Sequence, residues 1–276
     1  MAAVLGTNVA SLWASKNLQS AQSDMANSVE RLSSGLRINR AKDDAAGLGI
    51  ANSLTQQING ANQGIKNLND GISIVQTAEG ALAAASEMAQ RILTLATQGS
   101  TGSMGSAQTA SILAEMSSIL TSINSIQTRT KFSGTTLLNA AAITIQASNV
   151  SGDTITIDLA TSLRKIGTAD SELASTLSAQ VTGSTFSGIL TQANTYITAL
   201  DTQRAKLGAL QNQMEYAVSN VTEMATNLSA ARSRVIDTDY ASETASLTKG
   251  QILQQAATAM LAQANQMPNV ILSLLK

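Results

Sequence analysis

The chain has 276 residues, a net charge of −1 and 43% hydrophobic residues, while aromatic residues make up only 2%. It contains neither cysteine nor histidine, which excludes disulfides, thiolate nucleophiles, Cys/His zinc sites, HExxH metalloprotease motifs and Ser-His-Asp triads. The balance of 17 basic and 18 acidic residues argues against a nucleic-acid-binding protein, which would carry a basic patch.

The start of the chain shows no targeting segment. Residues 1–13 lack the basic region and the long apolar run of a secretory signal peptide. No stretch reaches the roughly 18 uninterrupted apolar residues of a membrane span. Taken alone, these observations predict a cytoplasmic protein without a cleaved signal peptide.

Near the start, apolar residues recur at steps of three, four or seven, which is typical of a coiled-coil seam. The members of this row are Ala14, Leu18, Ala21, Met25 and Leu32. They predict a terminal helix that packs along another helix.

A charged segment follows this helix and contains Arg31, Arg37, Arg40, Asp43 and Asp44. The paired aspartates favour a helix N-terminus, where a carboxylate accepts hydrogen bonds from unpaired backbone N–H groups. A metal site is the alternative use of this pair. The segment as a whole is interpreted as a connector between two helical rods.

The next elements are a long helix and a shorter one. Apolar residues spaced three and four positions apart begin at Leu54, and they predict a helix from Ala45 to Gly99. The Gly- and Ser-rich residues 98–106 predict a reversal of the chain, and residues 107–130 predict a shorter helix.

Period-two alternation then replaces the helical pattern. Residues 143–145 and 155–157 read Ile-Thr-Ile, with Gly152 and Asp153 supplying turn residues between them. They predict a β-hairpin over residues 143–158. Residues 178–188 are predicted to be a loop because they are rich in Ser, Thr and Gly.

Two further helical rows complete the chain. The first runs from Leu207 to Val235, and the second comprises Leu253, Ala257, Met260, Ala264, Met267, Ile271 and Leu274. The predicted fold class is therefore mainly α: long antiparallel helical rods in a coiled-coil-like bundle, with a small β-hairpin. The two terminal helices are expected to lie side by side.

Two passages resemble the ends of bacterial flagellins: residues 31–51, RLSSGLRINRAKDDAAGLGIA, and residues 251–268, QILQQAATAMLAQANQMP. Shorter matches occur in the family's order at residues 7–9, 131–132, 137–139, 153–158 and 232–241. The chain departs from many flagellins in size, because little beyond the hairpin separates residues 139 and 190. It resembles a short flagellin without a variable outer domain.

The resemblance implies a non-enzymatic, cofactor-free subunit that polymerises through its terminal helices into the flagellar filament for motility. It implies an inner core of residues 1–43 with 236–276, and an outer core of residues 44–235. The two terminal rows would make the assembly contacts, since Ala-rich helices bury little area as an isolated pair. The connector would join the two cores and touch neighbouring subunits.

The resemblance also implies partners and a location. Flagellins leave the cell unfolded through the flagellar type III export apparatus, without a cleaved signal, which replaces the cytoplasmic prediction. An export chaperone, the filament cap and junction proteins are expected partners. Many flagellins are also recognised by an animal Toll-like receptor. In this chain Gln90, Arg91 and Leu95 agree with the recognised pattern. Three other positions differ from it and predict weak recognition: Ala89, Leu93 and Thr94.

Two other functions stay open on the sequence alone. A hook–filament junction protein shares the terminal helices, and a needle- or tip-like secreted protein is also helical. A flagellin with a metallopeptidase domain is excluded because its HExxH helix needs histidine.

Overall fold

A computed structural model describes residues 8–138, 142–158 and 186–274, with side chains described as far as Gln266. Its helices are α1 (Val9–Ser34), α2 (Ala45–Gly99), α3 (Ser106–Arg129), α4 (Phe186–Ile236) and α5 (Tyr240–Leu274). Its strands are β1 (Lys131–Phe132), β2 (Thr135–Thr136), β3 (Ile143–Gln146) and β4 (Thr154–Ile157). The predicted fold class is confirmed, and no described helix is long and apolar enough to cross a membrane.

Side-chain caps explain where the first two helices begin. The Oδ1 atom of Asn8 accepts from the N–H of Ser11 at 3.1 Å, which starts α1. Asp44 does the same for α2, since its Oδ1 accepts from the N–H of Gly47 at 2.8 Å. The predicted capping role is therefore confirmed for Asp44, while Asp43 lies one position too early and bonds elsewhere.

The predicted loop over residues 178–188 is wrong at its end. Helix α4 already begins at Phe186, and residues 178–185 lie outside the described residues. The ring of Phe186 lies directly against the backbone of Gly99, where a Cβ would overlap it. A tertiary contact thus holds a Ser- and Gly-rich stretch in a helix, against its local preference.

The predicted hairpin is confirmed in both strands and turn. Strands β3 and β4 pair antiparallel with Ile145 opposite Ile155, and Gly152 takes a φ of +90° in the turn. A second, smaller hairpin joins β1 to β2 and escaped the sequence analysis. Its only local signal is Ser133-Gly134, which both adopt positive φ and fit a two-residue turn.

The chain divides into two compact units, Met1–Gln56 with Asn227–Lys276, and Gln57–Thr226. In the second unit α2 and α4 run antiparallel: Arg204 pairs with Glu79 at 3.5 Å, and Phe186 contacts Gly99. Its fully buried side chains are almost all aliphatic: Leu68, Leu82, Ile92, Leu95, Met116, Leu137, Leu138, Ile157, Ile189, Leu200 and Leu207.

The β3–β4 hairpin lies on a glycine-bearing face of α2. A Cβ on Gly64 would overlap the carbonyl oxygen of Ala147, and one on Gly60 would overlap the side chain of Asn149. Asn67 donates from Nδ2 to the carbonyl oxygen of Gln146 at 3.1 Å. The absence of side chains on these glycines therefore lets the hairpin backbone touch the helix.

Candidate assembly surface

Helices α1 and α5 form an antiparallel pair within the first unit. Asn8 donates from Nδ2 to the carbonyl oxygen of Ala264 at 2.7 Å, and Ser11 donates from Oγ to Oδ1 of Asn265 at 3.1 Å. Near the other end, Arg31 and Glu243 lie 3.7 Å apart. The sequence prediction that the terminal helices lie side by side is confirmed.

Small residues make the contact between the two helices. Ala14, Ala21 and Ser28 are the buried residues of α1, spaced seven apart, and Ala257 and Ala264 are buried on α5 with the same spacing. Small side chains let the two backbones approach closely. The larger row members of α1, namely Leu18, Met25 and Leu32, are half-buried.

The C-terminal row is divided between buried and exposed positions. Leu253 is 48% exposed and Met260 is 60% exposed, although both alternate with buried alanines. Alternate members of the row are seven residues apart, so the row divides into two sub-rows. Helix α1 covers the sub-row that contains Ala257 and Ala264, and it leaves the sub-row that contains Leu253 and Met260 exposed. The side chains of Met267, Ile271 and Leu274 lie outside the described ones.

The exposed sub-row lies beside Trp13 of α1, and Trp13, Leu253 and Met260 are hereafter called the terminal-helix surface. Other large apolar side chains of the two helices are also exposed, namely Val9, Leu12, Val29, Tyr240 and Ile252. A groove between the two helices brings Trp13, Leu253 and Met260 along one side of the pair. Lys16 places its Nζ 5.7 Å from the centre of the Trp13 ring, within reach of a cation–π contact.

The sequence analysis missed Trp13 as a member of this surface, and it also missed the exposed Val9, Leu12, Val29 and Ile252. They lie off the periodic rows, so a search for a single seam passes over them. Only the large size of their side chains could have indicated them. Trp13 is the clearest case, since it is the one tryptophan of the chain. An exposed large apolar patch of this kind marks an interaction site more often than a random surface does.

Most of the predicted connector, residues 35–44, lies between α1 and α2 and binds the C-terminal half of the same unit, whereas Arg31 lies in α1. Arg37 donates from its backbone N–H to the carbonyl oxygen of Ile236 at 2.6 Å and from Nη2 to that of Val235 at 2.7 Å. Arg40 forms an ion pair with Glu30 at 2.6 Å. Ile38, Ala51 and Ile236 are buried together beneath them.

Asp43 organises the turn before α2. Its Oδ2 accepts from the N–H of Arg40 at 3.0 Å and from that of Asn39 at 3.2 Å. The bond from Arg40 is the largest cause of a lowered pKa for Asp43, since hydrogen bonds to the charged form favour it. In the described parts of the chain, no three acidic side chains converge as a metal site would require.

This geometry predicts how the connector responds to acid. We expect the Asp43 carboxyl to titrate below its ordinary value of 3.8. A lowered folded-state pKa stabilises the turn above the unfolded-state pKa, and that stability is lost as the pH falls through the folded-state pKa. An NMR titration of the side-chain carbon measures it, with Asp43→Asn assigning the resonance. A midpoint at or above the ordinary value would contradict the bonding.

The predicted receptor residues do not share one surface. Gln90 and Arg91 are exposed on α2, and Arg91 pairs with Glu115 at 2.8 Å. Leu95 is only 2% exposed and belongs to the core of the second unit, so its place in a receptor surface is corrected. Leu95 shares the helical spacing of Ile92 and Ala89, which are both buried, and this spacing is the sequence signal for a core position.

Comparison with known proteins agrees with the described geometry. The model of the bacterial flagellin N-terminal helical region matches residues 5–143, and that of the bacterial flagellin C-terminal helical region matches residues 190–275. Flagellin B of Vibrio cholerae is 33% identical over 382 aligned residues, with 100% of each chain covered. The flagellin of Bacillus subtilis is 36% identical over 299 residues, with 98% of each chain covered.

A solved structure of a putative flagellar hook-associated protein from Vibrio parahaemolyticus is also similar. The two share a TM-score of 0.50 and 13% sequence identity, and the match covers 71% of this chain and 97% of that one. At this identity the likeness shows a common fold alone.

Proposed function

The chain belongs to the bacterial flagellins, and from this premise we propose that it joins the flagellar filament through its terminal-helix surface. Flagellins are structural subunits of an extracellular filament rather than enzymes. The full-length similarity to the Bacillus subtilis flagellin places this chain in that role. The part left to propose is which residues make the polymer and how they do so.

The observation that supports the proposal is the exposed apolar face of the α1–α5 pair. Trp13 is 61% exposed and Met260 60% exposed, on a pair whose buried side is formed by alanines, a serine and a glycine. Covering a large apolar side chain is worth about 1.5–3 kcal/mol relative to full exposure. A second copy that covers several such side chains therefore gains enough to hold its place in a lattice of many neighbours.

We further propose that residues 1–43 and 236–276 form the inner layer of the filament and residues 44–235 the layer around it. The connector would join the layers. Arg31 joins α1 to α5 through Glu243, and this partly exposed pair can be exchanged for a contact with a neighbouring subunit at a cost of about 0–1 kcal/mol. Arg37 and Arg40 hold the turn through Val235 and Glu30. Asp43 and Asp44 act in the same way.

The remaining partners follow from membership in the family. The flagellar type III export apparatus would carry the subunit without a cleaved signal, assisted by an export chaperone. The filament cap and junction proteins would contact the ends of the polymer. The terminal-helix surface is a suitable chaperone target, because it must be kept from premature self-association before export.

A single introduced thiol tests the assembly surface directly, since the chain contains no cysteine. We expect Met260→Cys to react quickly with a maleimide dye in the monomer and slowly in the filament, because a neighbour would cover it. Monomers released by heating the same filaments should react fully and serve as the control. Equal labelling rates in monomer and filament would exclude this surface.

The hook–filament junction protein remains the second candidate, since a hook-associated protein shares the fold. Abundance separates the two. A filament subunit should dominate filaments sheared from cells and should elongate existing filament fragments. A junction protein should be a minor component that does not elongate them.

We also propose that the animal Toll-like receptor recognises this flagellin weakly through Gln90 and Arg91. Arg91 must exchange its exposed pair with Glu115 for a receptor contact, at a cost of about 0–1 kcal/mol. Thr94 is exposed and Leu93 is half-buried. Both side chains are uncharged, so neither supplies the charges that a typical flagellin has at these positions.

Restoring those charges should strengthen signalling. We expect Leu93→Arg with Thr94→Glu to increase receptor activation about tenfold, because charge-assisted contacts are among the stronger interface contacts. Ala89 is left unchanged because it is buried and a larger side chain would overpack the core. Reporter-cell dose curves measure the effect, with Gln98→Glu on the same helix as a charge control. Superimposable curves for the double variant and the wild type would refute the idea.

A further inference from the structure

Methionine exposure is uneven along this chain. Met260 is 60% exposed on α5 and Met224 is 38% exposed on α4, whereas Met116 and Met214 are completely buried. Met260 also lines the groove of the α1–α5 pair together with Trp13 and Leu253. The most exposed described methionine therefore lies within the terminal-helix surface.

We propose that Met260 is a redox-sensitive modification site that controls whether a free subunit can enter the filament. A peroxide converts its thioether to the sulfoxide, the oxidised subunit no longer adds to a filament end, and enzymatic reduction restores it. The proposal rests on the assembly surface described above and adds a form of regulation to it.

The chemistry is a two-electron oxidation with hydrogen peroxide as the oxidant. The sulfur of Met260 attacks one peroxide oxygen, the O–O bond breaks, and the second oxygen leaves as water after proton transfer. The thioether becomes a sulfoxide and one peroxide molecule is consumed. Methionine sulfoxide reductases reverse this step at the expense of thiols.

Two features make Met260 the preferred target. The chain has no cysteine, so no thiol competes for the oxidant. Solvent access separates Met260 from Met116 and Met214, because a buried thioether is shielded from a dissolved peroxide. Once a neighbouring subunit covers the terminal-helix surface, Met260 is shielded as well, so the free subunit is sensitive and the filament is protected.

The consequence of oxidation follows from the change in polarity. A thioether is apolar and suits a groove lined by Trp13 and Leu253. A sulfoxide carries a strong S–O dipole and disrupts interfaces built on methionine. Covering that dipole without a hydrogen-bond donor is unfavourable, so the oxidised subunit binds the filament end less well.

The experiment treats purified full-length monomer with hydrogen peroxide, removes the peroxide with catalase and seeds the monomer with wild-type filament fragments. Peptide mass spectrometry quantifies the sulfoxide at every methionine, including Met1 and Met267. We expect Met260 to oxidise before Met116 and Met214, and elongation to fall about tenfold, the change that one lost polar or apolar contact makes in an affinity. Methionine sulfoxide reductases A and B should restore elongation.

Two variants assign the effect to one residue. Met260→Leu keeps an apolar side chain of similar volume but has no sulfur, so its elongation rate after peroxide should equal its own rate before peroxide. Met224→Leu removes an exposed methionine in the second unit and should stay as sensitive as the wild type.

The proposal is overturned if Met260→Leu loses elongation after peroxide as the wild type does, or if subunits fully oxidised at Met260 elongate normally. The oxidation and reduction of wild-type protein tests the idea even if Met260→Leu were to assemble poorly. Failure of this proposal is distinguishable from failure of the assembly surface: Met260→Asp would then still block elongation, and Met260→Cys would still be shielded in the filament.

Discussion

Replacing Met260 by aspartate should abolish filament elongation while leaving the subunit folded. The side chain is 60% exposed in the single chain, so a carboxylate there is solvated and costs the monomer little. In the polymer the same position would be covered by a neighbour. Burying an unpaired carboxylate costs at least about 3–5 kcal/mol, which lowers the equilibrium constant for addition by a factor of about 100 or more.

The measurement is seeded growth of Met260→Asp monomer on wild-type filament fragments, followed by electron microscopy. Circular dichroism should show a cooperative helical melt, because the core of the second unit does not include Met260. Gln255→Asp, an exposed position on the same helix, controls for charge and helix propensity. Normal elongation by a folded Met260→Asp subunit would remove α5 from the proposed assembly contact.

Replacing Gly64 by alanine should destabilise the second unit. The new Cβ would overlap the carbonyl oxygen of Ala147, and this neighbour is backbone of the hairpin, which cannot rotate away as a side chain would. The hairpin must shift off α2 and loosen Ile145 and Ile157, both buried. Overpacking of this kind costs about 1–3 kcal/mol, which outweighs the roughly 1 kcal/mol that alanine gains over glycine within a helix.

Gly80 provides the matched control, because it lies in the same helix with nothing within 4 Å of a built Cβ. Gly80→Ala should be neutral or more stable than the wild type by about 0.5–1 kcal/mol. Urea unfolding of both variants measures the difference. If Gly64→Ala were stabilised as much as Gly80→Ala, the hairpin would not lie on this face of α2.

The apolar rows of the terminal helices show what sequence periodicity can predict and what it cannot. A row on threes and fours correctly indicated that α1 and α5 are helices with apolar faces that pack together. The same row contains two sub-rows, and nothing local says which of them the intrachain partner covers. The partner took Ala257 and Ala264 because small residues allow the closest approach, and this left Leu253 and Met260 exposed.

Leu95 marks a similar limit for matching by position. Its identity agreed with residues that relatives present to a receptor, yet its side chain lies in the core of the second unit. Gln90 and Arg91, five and four positions earlier, fall on the solvent side. Positional agreement alone does not distinguish a residue that binds a partner from one that supports the helix beneath it.

What the sequence by itself determined here is local and periodic. The start of α2 after Asp44, the hairpin with its turn at Gly152 and the long helices all depend on groups a few residues apart, so composition and spacing specify them. The tertiary structure alone decided that Phe186 begins a helix against Gly99, that Gly64 carries the hairpin backbone, and that Met260 stays exposed. These outcomes depend on which distant surface arrives at a position, and a pattern along one chain does not contain that information.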